Sequence, residues 1–242
     1  MSEQTAPVLE FIDVVKSYGS GPTETRALTS VDLCVEPGEF VAVMGPSGCG
    51  KSTLLHLAGG LEPVTAGRVL VNGRDVSTMS AADLATLRRR EVGYIFQRLN
   101  LIPSLTAVEN VMLPLELDGV SRSQSRERAI AALEGVGLAH HLDRYPTEFS
   151  GGQQQRIAIA RSLVAERSLL LADEPTGSLD SVNSDEVIEL LAKLPAKFGT
   201  AVILVTHEPR FASWADRVIF LRDGHVVDES TRETVPASDG LH

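Results

Sequence analysis

The stretch Phe40-Val-Ala-Val-Met-Gly45-Pro-Ser-Gly-Cys-Gly-Lys51-Ser52-Thr53 decides the fold. It opens on an unbroken apolar run, 40–44, which reads as a strand buried on both faces. The residues that follow, Gly45, Pro46, Ser47, Gly48, Cys49, Gly50, Lys51, Ser52 and Thr53, satisfy the spacing G-x-x-x-x-G-K-[ST]. Glycines let a backbone wrap closely, so that successive N–H groups point inward at phosphate oxygens. A helix predicted over 52–58 adds the partial positive charge of its N-terminus. In such a loop the Lys51 ammonium reaches the β- and γ-phosphates, and the Ser52 hydroxyl ligates Mg²⁺.

A second run, Ser168-Leu-Leu-Leu-Ala172-Asp173-Glu174-Pro175, ends abruptly in two acids. Ligands of open α/β sheets sit beyond the carboxyl ends of the strands. Asp173 is thus placed to hold Mg²⁺, and Glu174 to orient or deprotonate an attacking water. Gln97 follows the apolar run 92–96, and His207 follows 202–206, so both polar groups leave buried strands at the same sheet edge.

Working outward, the apolar runs 40–44, 92–96, 169–172 and 202–205 alternate with stretches of helical period. In 183–194, for example, Val187, Leu190, Leu191 and Leu194 share one face. That alternation predicts a mostly parallel α/β sheet. Segments 8–14 and 27–35, joined by 67–72, read as an N-terminal antiparallel sheet. Segments 217–221 and 226–227, turning at Asp223-Gly224, read as a closing hairpin. Between 98 and 166 strand signals nearly vanish, and helices are predicted over 107–117, 122–133 and 152–165. The expected organisation is one unit over 8–228, with a core at about 8–97 and 167–228 and a helical insertion at about 98–166. A loose tail is expected over 229–242.

Hydrophobic residues make up 43 % of the 242, and charged residues 22 %, which places the chain among ordinary globular proteins. The 22 Lys and Arg against 32 Asp and Glu leave a net charge of −10. That balance argues against nucleic acid as a partner, or an anionic membrane surface held by charge alone. Two cysteines, Cys34 and Cys49, give neither a disulfide framework nor a Cys-rich metal site, and point to the cytosol. The N-terminus lacks a signal-peptide pattern, and no apolar run approaches the roughly 20 residues that span a bilayer. Attachment to a membrane is therefore expected through a partner. The run Arg88–Arg90 beside Glu91 reads as solvated surface, and Cys49 as a small residue that fits its loop.

Within the helical insertion stands Phe149-Ser150-Gly151-Gly152-Gln153-Gln154-Gln155-Arg156. Ser150 and the two glycines would open a helix and so form a second anion site at a helix N-terminus. This octet resembles the signature motif of ATP-binding-cassette (ABC) ATPases, with Phe149 in place of the usual Leu. The resemblance spans 8 to about 228 in matching motif order. It implies a P-loop NTPase core with an N-terminal antiparallel β subdomain and an inserted α-helical subdomain. It also implies ATP and Mg²⁺ as ligands, and a head-to-tail homodimer in which Ser150, Gly151, Gly152 and Gln153 face the partner's phosphate loop across ATP.

By the same resemblance, Tyr18 of Lys16-Ser-Tyr-Gly19 stacks on adenine. Gln97 touches Mg²⁺ and the lytic water. Asp180 of Ser178-Leu179-Asp180 belongs to the dimer-contact loop, and His207 contacts the γ-phosphate.

Segment 97–115, Leu87–Arg90 and Ala172–Gly177 look like the subgroup that serves lipoprotein release, macrolide export and cell-division complexes. In that subgroup an integral membrane permease docks near Arg98 to Leu115, here through Leu99, Leu101, Ile102, Leu105 and Val108. The expected place of work is then the cytoplasmic side of the membrane. An importer subunit working with a substrate-binding protein, and a soluble ABC ATPase with a non-membrane partner, stay open on these residues. A P-loop kinase leaves the Ser-Gly-Gly-Gln motif unexplained.

Overall fold

A computed structural model describes residues 6–177 and 179–231. Strands β1 (Leu9–Tyr18) and β2 (Thr25–Val35) form an antiparallel pair. Strand β3 (Phe40–Met44) runs into the glycine loop and helix α1 (Lys51–Ala58). Strand β4 (Ala66–Val71) returns to pair with β1 and carries the short β5 (Arg74–Asp75), giving a sheet ordered β2-β1-β4-β5. Helix α2 (Ala81–Arg90) starts at Ser80, whose hydroxyl accepts the Asp83 N–H, and leads into β6 (Val92–Ile95).

The helical lobe holds α3 (Ala107–Leu117), α4 (Arg122–Gly135) and α5 (Gly151–Leu163). The chain then returns through β7 (Leu169–Asp173), α6 (Ser181–Ala192), α7 (Leu194–Phe198), β8 (Ala201–Val205) and α8 (Pro209–Ala212). It closes with the hairpin β9 (Arg217–Arg222) and β10 (His225–Thr231). The second sheet is ordered β10-β9-β3-β8-β7-β6, parallel throughout except for β9 with β10.

Every residue of β7 and β8 is buried, as an apolar run without alternation requires. Because side chains alternate across a strand, the parallel sheet serves two cores. Phe40 and Ala42 join the core that the helical lobe covers with Val108, Met112, Leu133 and Ile157. Val41 and Val43 point the other way, into the core shared with α1 and the antiparallel sheet. The two layers fix the C-terminal ends of β3, β6, β7 and β8 as one edge, and the site is built there.

Several boundaries differ from the sequence reading. Strand β1 continues past 14 to Tyr18 through register shifts around Asp13, whose φ of 48° breaks the apolar alternation that would announce a strand. The helix expected over 183–194 divides at Lys193, because Pro195 opens α7 and lacks the N–H that would continue α6. Helix α5 begins one residue early, at Gly151, and ends at Leu163 rather than 165. The loose tail expected from 229 is corrected as well. Glu229, Ser230 and Thr231 pair with Ile219, Val218 and Arg217, an exposed edge whose polar side chains carry no strand signal. The rest of that tail, 232–242, lies outside the described residues.

Candidate active site

The phosphate loop packs against both sheets. A Cβ at Gly45 would lie 2.0 Å from the Leu221 carbonyl oxygen, and one at Gly50 2.4 Å from that of Ala27. Both glycines also have positive φ, 152° and 109°, so a side chain there fails on space and on backbone conformation together. Cys49 is buried, and its carbonyl accepts the Gly224 N–H of the β9–β10 turn. Lys51 is buried too, and its Nζ folds back to donate to the carbonyls of Gly45 and Pro46 at 2.8 Å each.

The carboxylate strand meets this loop directly. The Ser52 hydroxyl donates to Asp173 Oδ1 at 3.1 Å, joining α1 to the end of β7. Burial holds the Asp173 carboxyl above its usual range, and the Ser52 bond offsets this only in part. A desolvated carboxylate beside a hydroxyl is a hard oxygen pair short of positive charge, which suits a divalent cation. Among the described residues no cluster of three or more His, Cys, Asp or Glu could hold a metal by itself. An ion here would complete its shell with phosphate and water oxygens, the usual habit of Mg²⁺.

Glu174 sits just beyond, at a φ of 43°, a conformation costing a non-glycine residue on the order of 1–3 kcal/mol. Its N–H is held by the Val205 carbonyl at 3.0 Å. One carboxylate oxygen accepts Gln97 Nε2 at 3.3 Å, and the other accepts the His207 Nδ1–H at 3.4 Å. Three side chains from the ends of β6, β7 and β8 therefore meet at one point. Tyr18, 40 % exposed as a residue, ends β1 beside α1, its hydroxyl 3.4 Å from Thr53 Oγ1.

The Ser-Gly-Gly-Gln segment lies apart from these groups. Ser150 caps α5, accepting the Gln153 N–H while its own N–H donates to the Gln153 side chain, so the motif spends these bonds on forming a clean helix N-terminus. None of its hydrogen bonds among the described residues reaches the phosphate loop. A Cβ at Gly152 would stand 2.6 Å from Asn183 Oδ1, which locks this helix start against the start of α6. Asp180 caps α6, and Asn183 occupies both its carboxylate oxygens through N–H and Nδ2 at 3.0 and 2.7 Å. Ser178, quoted with the dimer-contact loop, lies outside the described residues.

In the segment from Arg98 to Leu115, Val108 is fully buried in the helical core and is not available to a groove. Leu101 leans on the same core, whereas Ile102 is exposed. The three arginines 88–90 are committed within the chain, Arg88 to the Gly60 carbonyl and Arg89 and Arg90 to Asp118.

Sequence reading missed two residues that shape this region. Asn110, fully buried, accepts the Ile102 N–H and donates to the carbonyls of Ile102, Leu105 and Thr106, which pins the loop that presents Ile102. Arg161 of α5 donates to the carbonyls of Leu99 and Asn100 at 2.7 Å each, tying the helix that starts at Ser150 to the chain just past Gln97. Bonds to a charged donor contribute about 1.5–3 kcal/mol each. Arg161→Met is expected to lower stability by about 3 kcal/mol, read by calorimetry as a fall of roughly 5–10 °C in Tm for a chain of this size. An unchanged Tm would show that the clamp does not hold the lobe.

Residues 28–177 match the family described as ABC transporter, and the chain belongs to that family. It is an ABC ATPase, binding and hydrolysing ATP. It is 48 % identical over 220 residues to the lipoprotein-releasing system ATP-binding protein LolD of Geobacter metallireducens, covering 91 % of this chain and 98 % of that one. It is 46 % identical to the macrolide export ATP-binding/permease protein MacB of Hyphomonas neptunium, with 97 % of this chain matching 36 % of the relative. The chain thus spans about a third of the length of such MacB relatives. A solved dimer of the ATP-binding cassette MJ0796, in a post-hydrolysis state bound to ADP and Pi, superposes with a TM-score of 0.86 at 40 % identity, covering 92 % of this chain and 98 % of that one.

Proposed function

We propose that this chain is the ATPase subunit of an exporter-type or mechanotransmitting ABC complex, acting as a head-to-tail homodimer on the cytoplasmic side of the membrane. The observation that carries the reading is the separation of two anion sites. The phosphate loop and the Gln97–Glu174–His207 cluster share one sheet edge, while the capped N-terminus of α5 stands on the helical lobe. A γ-phosphate held by both requires two chains, and the dimeric MJ0796 cassette supports that arrangement. Residues 8–231 act as one cassette, with 98–166 as its helical lobe.

In this cycle the phosphate-loop N–H groups and Lys51 bind the β- and γ-phosphates, and Tyr18 stacks on adenine. Ser52, Asp173 and Gln97 would hold Mg²⁺, which when bound neutralises charge on the phosphates. Glu174 accepts the proton of the attacking water, and His207 keeps that carboxylate oriented and senses the γ-phosphate. Ser150, Gly151, Gly152 and Gln153 of one chain close over the ATP of the other, and the loop carrying Asp180 lines the seam between them. Loss of the γ-phosphate contacts reopens the dimer, which is the differential binding a ligand-driven switch needs.

No helix among the described residues is long and apolar enough to cross a membrane. In this reading the membrane-spanning part is a permease. The near-complete span of LolD and the partial span of MacB favour an exporter-type partner. Ile102 is exposed and its N–H is held by Asn110, which supports it as the residue that meets this partner. Ile102→Asp is expected to abolish co-purification of a permease from detergent-solubilised membranes while ATP affinity stays within twofold of the parent. Full recovery of the permease would remove this docking site.

A further inference from the structure

Glu62, just past α1, has no role in the reading above, yet both its carboxylate oxygens are spoken for. Its Oε2 accepts the Tyr18 hydroxyl at 2.6 Å and lies 3.2 Å from Lys16 Nζ, while Oε1 accepts the His56 Nδ1–H at 3.1 Å. Lys16 is buried, donates to the Pro63 carbonyl at 2.8 Å, and places its Nζ 4.8 Å from the centre of the Tyr18 ring. An ammonium at that distance is attracted to the ring's electron-rich face. The ring is thus fixed at its hydroxyl by a carboxylate and on one side by a cation, leaving its exposed remainder beside the first turn of α1.

We propose that Glu62 is the positioning residue of the base site, holding the Tyr18 ring at the angle that stacks a purine whose phosphates lie in the loop. The inference rests on the reading of Tyr18 as the adenine-stacking ring. A free tyrosine would have to give up rotational freedom about its side-chain bonds on each binding event, whereas a pinned one has lost it on folding. The carboxylate is kept ionised for the task. Desolvation works to raise it, but hydrogen bonds from Tyr18, Lys16 and His56 more than offset this and hold it below the usual glutamate range. Since the hydroxyl proton is committed to Glu62, Tyr18 offers the base its face and not a donated hydrogen bond.

A base-free probe separates this role from a merely structural one. Binding is measured for ATP and for inorganic tripolyphosphate, which carries the phosphates without a base, each with Mg²⁺. Glu62→Met, which keeps the bulk of the side chain but has no oxygen to accept the Tyr18 hydroxyl, is expected to raise the Kd for ATP about tenfold, to raise KM with kcat changed less than twofold, and to leave tripolyphosphate affinity within twofold. Tyr18→Phe, which deletes the same bond from its other end, should weaken ATP similarly, and the double variant should be no worse than either single one. An equal loss for both probes would make Glu62 structural and overturn the proposal. Normal ATP affinity in Glu62→Met, with weakened affinity in Tyr18→Ala, would overturn it while sparing the stacking role of Tyr18. Normal ATP affinity in Tyr18→Ala would remove the stacking reading, and this inference with it.

Discussion

Glu174→Gln is expected to bind ATP like the parent and to lose turnover by roughly 10²–10⁴-fold, the range supplied by a positioned general base. The substitution keeps the size of the side chain, so the contacts around it stay possible. Gln97 Nε2 and His207 Nδ1 both approach the carboxylate, and an amide oxygen can still accept one of them. Only the ability to take a proton is lost. The strained φ of 43° is a property of the backbone held by Val205 and does not depend on the charge. Steady-state phosphate release with saturating ATP and Mg²⁺ is the check. Turnover within tenfold of the parent would remove Glu174 as the base and shift attention to a water held by Gln97 alone.

Lys51→Ala is expected to act one step earlier, on binding. The buried ammonium is already held over the loop by the Gly45 and Pro46 carbonyls, so it meets the phosphates with little ordering left to do. Charge-assisted bonds of this kind contribute about 1.5–3 kcal/mol each, and two of them correspond to at least a hundredfold in Kd. Titration calorimetry with ATP and Mg²⁺ reads this directly. Affinity within threefold of the parent would mean that the loop N–H groups carry the phosphates unaided. The melting temperature without nucleotide is the accompanying control, because the variant also frees two loop carbonyls.

Much of the site was legible because its signals are local. A strand, a glycine loop and a helix stand in sequence at 40–58, and an apolar strand runs straight into Asp173 and Glu174, so residue order alone put these groups at strand ends. The convergence of Gln97, Glu174 and His207 followed from parallel strands sharing one edge. What escaped were residues whose partners are remote in the chain. Glu62 meets a tyrosine 44 positions away and Arg161 a loop more than 60 positions away, and neither shows a local pattern. The extension of β10 through 229–231 escaped because an exposed edge strand needs no apolar face, and the break at Lys193 because the apolar spacing of 183–194 masked Pro195. Val108 was read as accessible because helical period marks a buried face without saying what covers it.

The head-to-tail dimer is the centre of this account, and sedimentation of the Glu174→Gln protein tests it most directly. With ATP and Mg²⁺ the mass is expected to double, and with ADP it should stay that of one chain. Adding Ser150→Arg, which places bulk and charge at the N-terminus of α5, should prevent the doubling while ATP still binds. A single-chain mass at saturating ATP, or a dimer indifferent to Ser150→Arg, would contradict the shared γ-phosphate on which the cycle depends.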